Sequence, residues 1–234
     1  MNANLCLNIH FDDFSESFYL IKFGKREHLE QIQNGVIRFS HLDKYQKIEN
    51  KDIGDKDEGL ESVHHKDNRT KFYYSHPNLN NGDEFDITNS ILSMWNYPSS
   101  NKFISCFSYF TVKDISENSI FSDKILEEKD WDNVLFILDT KGFVERLMST
   151  ACDFLPAFGK VKYLDYSKNQ SGLDEFSKSS KYKHQKEIRF SLQYSGIKTE
   201  KVRQIDNCTI EIISNKVQSV IIPTSEFREG FSIE

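Results

Sequence analysis

The sequence lacks paired cysteines, long hydrophobic runs and a basic leader, and each absence excludes a class of protein. Its four cysteines, Cys6, Cys106, Cys152 and Cys208, are far apart and form no CxxC pair, whereas disulfide frameworks and zinc sites bring cysteines together in the sequence. We therefore expect reduced, mostly buried thiols and no chemistry at cysteine. The longest apolar runs, VLFILDT and VQSVIIP, have the length of strands rather than membrane spans. The start, MNANLCLNIHFDDF, has no basic region and is a poor export signal. These features predict a cytoplasmic protein without a membrane partner.

The composition is that of a globular protein with an uneven charge distribution. The chain has 234 residues, of which 38% are hydrophobic and 13% aromatic. This suffices for one packed domain over residues 1–234, with a polar excursion at about 50–95. The net charge is −6, yet residues 160–204 carry eleven Lys/Arg against five Asp/Glu. Such a segment can attract a polyanion or a phosphorylated cofactor to one cleft, but the overall acidity excludes a general nucleic-acid coat protein.

Hydrophobic periodicity predicts more strands than helices. Strands are expected at 18–24, 36–40, 101–110, 133–140, 160–167, 187–195, 208–213 and 217–223. Helices are expected at 25–35, ended by Asn34-Gly35, and at 141–155 behind Asp139 or Thr140 as a cap. A short helix or turn follows at 41–50, and 168–182 is expected to be a polar loop. The absence of a regular βαβ alternation indicates an α+β fold with mixed, mostly antiparallel sheets and a few flanking helices.

The stretch KYKHQKEIRF, residues 181–190, carries the candidate site. Alternate residues of a strand share a face, which puts Gln185, Glu187, Arg189, Ser191 and Gln193 on an open face and Ile188, Phe190, Leu192 and Tyr194 on the core face. Gln185 and Glu187 are then neighbours about 7 Å apart. A carboxylate in that position can bind a sugar hydroxyl and stabilise positive charge at an anomeric carbon. The pattern equally fits the solvent-facing side of an ordinary strand, on which Glu187 and Arg189 neutralise each other.

A Gln-x-Glu motif on a late strand resembles the catalytic signature of the ADP-ribosyltransferase fold. The segments KFGKREHLEQIQNGVIRFSHLDKYQKIE, ISCFS and HQKEIRF also resemble an uncharacterised bacterial family related to ADP-ribosyltransferases, including toxins of phage-defence and toxin–antitoxin systems. The resemblance covers about residues 18–195. It implies an ADP-ribosyltransferase-like α+β fold, NAD as substrate, a protein or nucleic acid as acceptor, and an antitoxin protein as partner.

The resemblance also assigns roles to individual residues. Glu187 would accept a hydrogen bond from a ribose hydroxyl and offset the oxocarbenium charge as nicotinamide leaves, and Gln185 would orient the acceptor. The cradle for NAD would comprise Lys22, Phe23, Tyr45, Ser105, Phe107 and Ser108. Lys22, which replaces the Arg or His of better-known branches, would hold the pyrophosphate, and Tyr45 or Phe107 would stack on the nicotinamide. No metal is implied.

Two other functions remain open at this stage. One is a catalytically inactive relative that acts as a protein-binding or sensing module through the polar segment 50–90. The other is a metal-dependent nuclease built on Asp52, Asp55 and Asp57, three of the six acids between residues 49 and 61. That acidic run is either a solvated loop or makes an ordering contact with the basic segment 160–204.

Overall fold

The structure, a computed structural model, describes residues 8–9, 17–47, 57, 60–65, 91–95, 101–116, 131–193 and 200–228. The strands in these ranges, numbered β1 to β15 in chain order, are Asn8–Ile9, Phe18–Gly24, Val36–His41, Leu60–His65, Ile91–Trp95, Lys102–Thr111, Asn133–Ile137, Ala157–Lys160, Lys162–Leu164, Gln170–Ser171, Ser177–Ser179, Glu187–Gln193, Val202–Asp206, Thr209–Ile213 and Ser219–Pro223. The α-helices, α1 to α5, are Arg26–Gln33, Leu42–Lys47, Val112–Ser116, Thr140–Thr150 and Thr224–Arg228. Two 3-10 helices span Cys152–Phe154 and Ser180–Gln185.

Antiparallel pairing dominates, as the sequence predicts for an α+β fold. Among the described strands only β1 with β8 and β9 with β11 pair in parallel. The main sheet runs in the order β1-β8-β12-β6-β2-β7-β15, and a branch leaves β6 through β3 to β14 and β13. Within the ranges that the structure describes, no helix is both long enough and apolar enough to cross a membrane.

The main sheet branches at β6, where one edge of the strand pairs with both β2 and β3. Residues 18–21 of β2 pair with residues 108–111 of β6, whereas residues 40–41 of β3 pair with residues 103–104. The opposite edge of β6 is paired continuously with β12 over residues 102–108. Residues 105–107 of β6 therefore lie where β2 and β3 diverge. We refer to this place as the β2/β3 split.

Both faces of the sheet are covered by hydrophobic residues. The larger cluster packs helices α1 and α4 against one face and includes Leu20, Phe107, Phe143 and Phe190. A smaller cluster forms around Ile21, with Phe23, Phe110, Val134 and Phe136. Because strand residues alternate between faces, these clusters fix the register of β2 and β6.

Most predicted elements are present with small shifts of their ends. Helix α4 begins as expected, because the Asp139 side chain accepts a 2.9 Å hydrogen bond from the Gly142 N–H. Gly35 ends the turn after α1 with a φ of 85°, a conformation that glycine adopts without steric cost. Two predictions were wrong: 168–182 contains β10, β11 and part of a 3-10 helix, and the strand at 160–167 is confined to β9 and the end of β8. The strands β1, β4, β5 and β13 and the short helices α3 and α5 were not predicted.

The described part of the polar excursion at 50–95 packs onto the basic segment. Strands β4 and β5 form a small sheet with β10, and Leu60 and Val63 cluster with Leu173. Asp57 also lies 3.8 Å from the Lys181 ammonium. These contacts agree with an ordering contact between the acidic run and the segment 160–204. Asp52 and Asp55 lie outside the described residues.

Candidate functional site

Glu187 begins β12 at the centre of the main sheet. β12 lies between β6 and β8, and Glu187 is directly opposite Ser108 of β6. The residue before it, Lys186, adopts a left-handed conformation with a φ of 42°. This turn separates the 3-10 helix from the strand, and the Glu187 N–H donates to the Tyr163 hydroxyl at 2.9 Å. The carboxylate is thus attached to a backbone that is fixed on both sides.

Two buried cations contact the Glu187 carboxylate. The Lys178 ammonium lies 2.7 Å from Oε2, and the Arg189 Nε lies 2.6 Å from Oε1. The Cys106 thiol of β6 interacts electrostatically with the same carboxylate. Glu187 is 5% exposed, Lys178 7% and Arg189 0%. Removing two positive charges and one negative charge from water is costly, so the three side chains depend on one another.

The charged neighbours keep Glu187 ionised. Burial by itself would raise the pKa of Glu187, but Arg189 and Lys178 outweigh it and hold the pKa well below its usual range. The pKa values of two neighbouring groups, the Cys106 thiol and the Tyr163 phenol, are raised instead. Burial, helped by the charge of Glu187, raises the pKa of Cys106 to about 12 and raises that of Tyr163 above its ordinary value. Near neutral pH the carboxylate is therefore charged while the thiol and the phenol keep their protons.

The carboxylate has acceptor positions beyond those that the two cations use. An ionised carboxylate offers about four lone-pair positions. In the part of the chain that the structure describes, hydrogen bonds from Lys178 and Arg189 use two of them. Glu187 can therefore accept a further hydrogen bond without losing either cation.

Gln185 lies beside Glu187, but not on the same strand. The sequence predicted that both residues share an open face of one strand, and this was wrong. Gln185 is the last residue of the 3-10 helix Ser180–Gln185 and is 6% exposed. Its Oε1 accepts a 2.9 Å hydrogen bond from the Lys178 ammonium. The two predicted catalytic residues are therefore brought together by Lys178 and not by strand alternation.

The predicted open face of β12 is also covered, except at Gln193, which is exposed. The predicted core face is confirmed for Ile188, Phe190 and Leu192, and Tyr194 lies outside the described residues. Ile188, Phe190 and Leu192 are at most 1% exposed. On the polar face, the Glu175 carbonyl accepts from Arg189. The Glu175 carboxylate accepts from Ser191 at 3.1 Å and from Lys102 at 2.7 Å. The segment 163–178 therefore supplies the polar face with partners that a solvent-exposed strand would take from water.

Lys22 lies at the β2/β3 split. Its ammonium donates to the Cys106 carbonyl, which belongs to the part of β6 between the two branches, and it stands 5.2 Å from the centre of the Phe107 ring. Burial lowers the pKa of Lys22, while Cys106 and the charge of Glu187 act in the raising direction. Lys22 and Glu187 therefore interact electrostatically without a direct contact.

The other predicted cradle residues are dispersed. Ser108 is directly opposite Glu187, but Ser105 is opposite Phe190 on the other face of the sheet. Phe107 is 2% exposed, with its ring packed edge-on against Phe143 and Phe190.

Two aromatic residues of the predicted cradle lie on other elements. Phe23 is buried and stacks on Trp131 with ring centres 5.4 Å apart. Tyr45 is half-buried on α2. This arrangement does not bring either ring to Glu187 through a described contact, so the stacking partner for nicotinamide stays a prediction.

Sequence reasoning missed Lys178, Tyr163 and Glu175. Lys178 is one of several lysines in KSSKYKHQK, and only its position between the small residues Ser177 and Ser179 distinguishes it. All three residues of that short strand are buried. Two small neighbours thus marked a lysine that could be enclosed, but the pattern does not say which carboxylate it meets.

Neither a metal cluster nor a known relative identifies the site. Among the described residues there is no group of three or more His, Cys, Asp or Glu side chains that could hold a metal ion. No protein-family model, no curated protein and no solved structure matches the chain. The function is therefore inferred from the geometry around Glu187.

Proposed function

We propose that the chain is an NAD-dependent ADP-ribosyltransferase that acts as a bacterial toxin or anti-phage effector. The observation that carries this proposal is the buried, ionised Glu187 carboxylate, which can accept a further hydrogen bond, next to the β2/β3 split. Such a fixed negative charge stabilises a transition state in which positive charge develops on a sugar. The Gln-x-Glu spacing noted in the sequence agrees with this role.

In the proposed reaction Glu187 accepts a hydrogen bond from a ribose hydroxyl of NAD. As the bond between the anomeric carbon and the nicotinamide nitrogen breaks, the electron pair leaves with nicotinamide and the carboxylate offsets the oxocarbenium charge. A nucleophile of a protein or nucleic-acid acceptor then bonds to the anomeric carbon and loses its proton to solvent. Gln185 orients that acceptor, and the Lys22 ammonium attracts the pyrophosphate. The basic segment 160–204 favours a polyanionic acceptor.

The test compares wild type with Glu187→Gln in the transfer of label from NAD to cell extract. We expect labelling by wild type and none by the variant. Because Glu187→Gln leaves two buried cations without a counter-charge, the assay includes the double variant Lys178→Met/Glu187→Gln. This double variant keeps the formal charge of the cluster at the wild-type value. Equal labelling by wild type and a folded double variant, or no labelling by wild type, would contradict the proposal.

A second candidate function is an inactive relative that binds a protein. The enclosure of Glu187 favours it, because both carboxylate oxygens already accept from buried cations. An ion-pair cluster of this kind can be retained for the structure alone. This candidate predicts that the double variant keeps the cellular phenotype, whereas deletions within 50–90 abolish it.

A further inference from the structure

Lys178 is the side chain that joins Gln185 to Glu187. Its ammonium, at the middle of β11, donates to Gln185 Oε1 at 2.9 Å and to Glu187 Oε2 at 2.7 Å. It also lies 4.9 Å from the centre of the Tyr182 ring. An ammonium only donates hydrogen bonds. The group of Gln185 that faces Lys178 is therefore the carbonyl oxygen, and the NH₂ group is directed away from it.

We propose that Lys178 is a positioning residue for the catalytic pair: it fixes the orientation of the Gln185 amide and holds the Glu187 carboxylate at a set place beside it. This inference rests on the proposed function and adds a residue that the Gln-x-Glu pattern does not contain. Because Gln185 is on a 3-10 helix and Glu187 on a strand, backbone geometry alone does not hold their side chains together. Lys178 comes from a third element and is hydrogen-bonded to both.

Five titratable groups interact with Glu187 from five strands. They are Lys22 on β2, Cys106 on β6, Tyr163 on β9, Lys178 on β11 and Arg189 on β12. Cys106 and Tyr163 are neutral near pH 7, and Lys22 acts without contact, so Lys178 and Arg189 are the charged groups in contact. Loss of Lys178 leaves Arg189 on Oε1 and removes the donor from Oε2. We therefore expect the carboxylate to protonate at higher pH and the Gln185 amide to lose its fixed orientation.

The kinetic experiment uses Lys178→Met, which keeps the length of the side chain without the charge, and Lys178→Arg, which keeps a cationic donor. The matched control is Lys181→Met. Lys181 also lies over the Tyr182 ring, at 4.6 Å, but its ion pair is with Asp57. Nicotinamide release from NAD is followed as kcat and KM across pH 4–9.

We expect Lys178→Met to lower kcat by about 10- to 100-fold, the scale of a displaced catalytic group. KM for NAD stays within about twofold of wild type, because Lys178 does not contact the rest of the substrate. The acid limb of the pH profile moves to higher pH, and Lys178→Arg recovers part of kcat. If Lys178→Met and Lys181→Met share the wild-type kcat and acid limb, Lys178 does not position the pair.

A second readout does not depend on turnover. In protein with ¹³C-labelled glutamate side chains, the Glu187 carboxyl signal, assigned by its absence in Glu187→Gln, is titrated in wild type and in each Lys178 variant. We expect Lys178→Met to titrate at higher pH than wild type and the Gln185 side-chain amide signals to shift. If wild type releases no nicotinamide, the proposed function is wrong. The Glu187 and Gln185 signals still show whether Lys178 positions these two side chains. Unchanged Glu187 and Gln185 signals overturn the inference, and Lys178→Arg serves the same comparison if Lys178→Met does not fold.

Discussion

Replacing Glu187 by glutamine should destabilise the fold as well as stop the proposed reaction. In wild type, Glu187 is the negative charge between Lys178 and Arg189. Glutamine has nearly the same shape but removes that charge, so the formal charge of the three side chains rises from +1 to +2. The two cations are 7% and 0% exposed and cannot recover their hydration without opening the structure.

The expected loss is about 3–5 kcal/mol of unfolding free energy, the range for removing one partner from a buried ion pair. For a chain of this size, with a urea slope of about 3 kcal/mol per molar, that loss lowers the unfolding midpoint by about 1–1.7 M. Lys178→Met/Glu187→Gln returns the formal charge to +1. We therefore expect it to recover part of the loss, with a coupling free energy of about 1–3 kcal/mol.

The assay is equilibrium urea unfolding of wild type, the two single variants and the double variant at pH 7 and at lower pH. The sign of the pH dependence follows from the lowered pKa of Glu187 in the folded state. Its contribution to stability is full above the unfolded pKa, about 4.3, and falls as pH drops from there toward the folded pKa. The difference between wild type and Glu187→Gln should therefore shrink below about pH 4.3. Equal midpoints at pH 7, or additive single variants, would show that the carboxylate is not paired with these cations.

Two further predictions concern the neighbours of Glu187. With its pKa raised to about 12, the half-buried Cys106 should be alkylated by iodoacetamide at pH 8 roughly a thousand times more slowly than an ordinary thiol. Mass spectrometry of Cys106 against Cys152 and Cys208 checks this, and similar rates at all three in the folded protein would count against the raised pKa of Cys106. Because the pKa of Lys22 is lowered by folding, the unfolding free energy of wild type should rise, relative to that of Lys22→Met, with pH between that lowered value and about 10.4. Lys22→Met should lack this rise in urea unfolding from pH 7 to 10.5, and parallel curves for the two proteins would refute it.

The elements that sequence reasoning predicted well are those whose pattern is settled by the hydrophobic core. β12 alternates with Ile188, Phe190 and Leu192 inward, and these residues are buried as expected. Helix α4 has both a helical period and a side-chain cap. In such segments local preference and burial favour the same structure.

The candidate site was predicted only in part, because its environment comes from another part of the chain, the segment 163–178. The polar residues of β12 alternate as they would on a solvated face, and no local signal distinguishes that face from one covered by charged partners. The cover depends on parallel pairing of β9 with β11 and on Glu175 reaching Ser191 and Lys102. The left-handed Lys186 also separates Gln185 from the strand, which begins only at Glu187, and strand alternation did not foresee this turn.

The surroundings of Glu187 favour electrostatic stabilisation of a positive charge over general base catalysis. A general base works best with a pKa near the working pH, and the pKa of Glu187 is held far below that by Arg189 and Lys178. The carboxylate is therefore a weak proton acceptor at neutral pH, but it remains a fixed negative charge. Stabilising an oxocarbenium ion needs that charge and a single hydrogen bond, and it needs no proton transfer to the carboxylate. The two ion pairs weaken the field that Glu187 presents, yet they also keep it ionised and in place. The site is therefore compatible with the proposed departure of nicotinamide, assisted by a charge and with the acceptor's proton lost elsewhere.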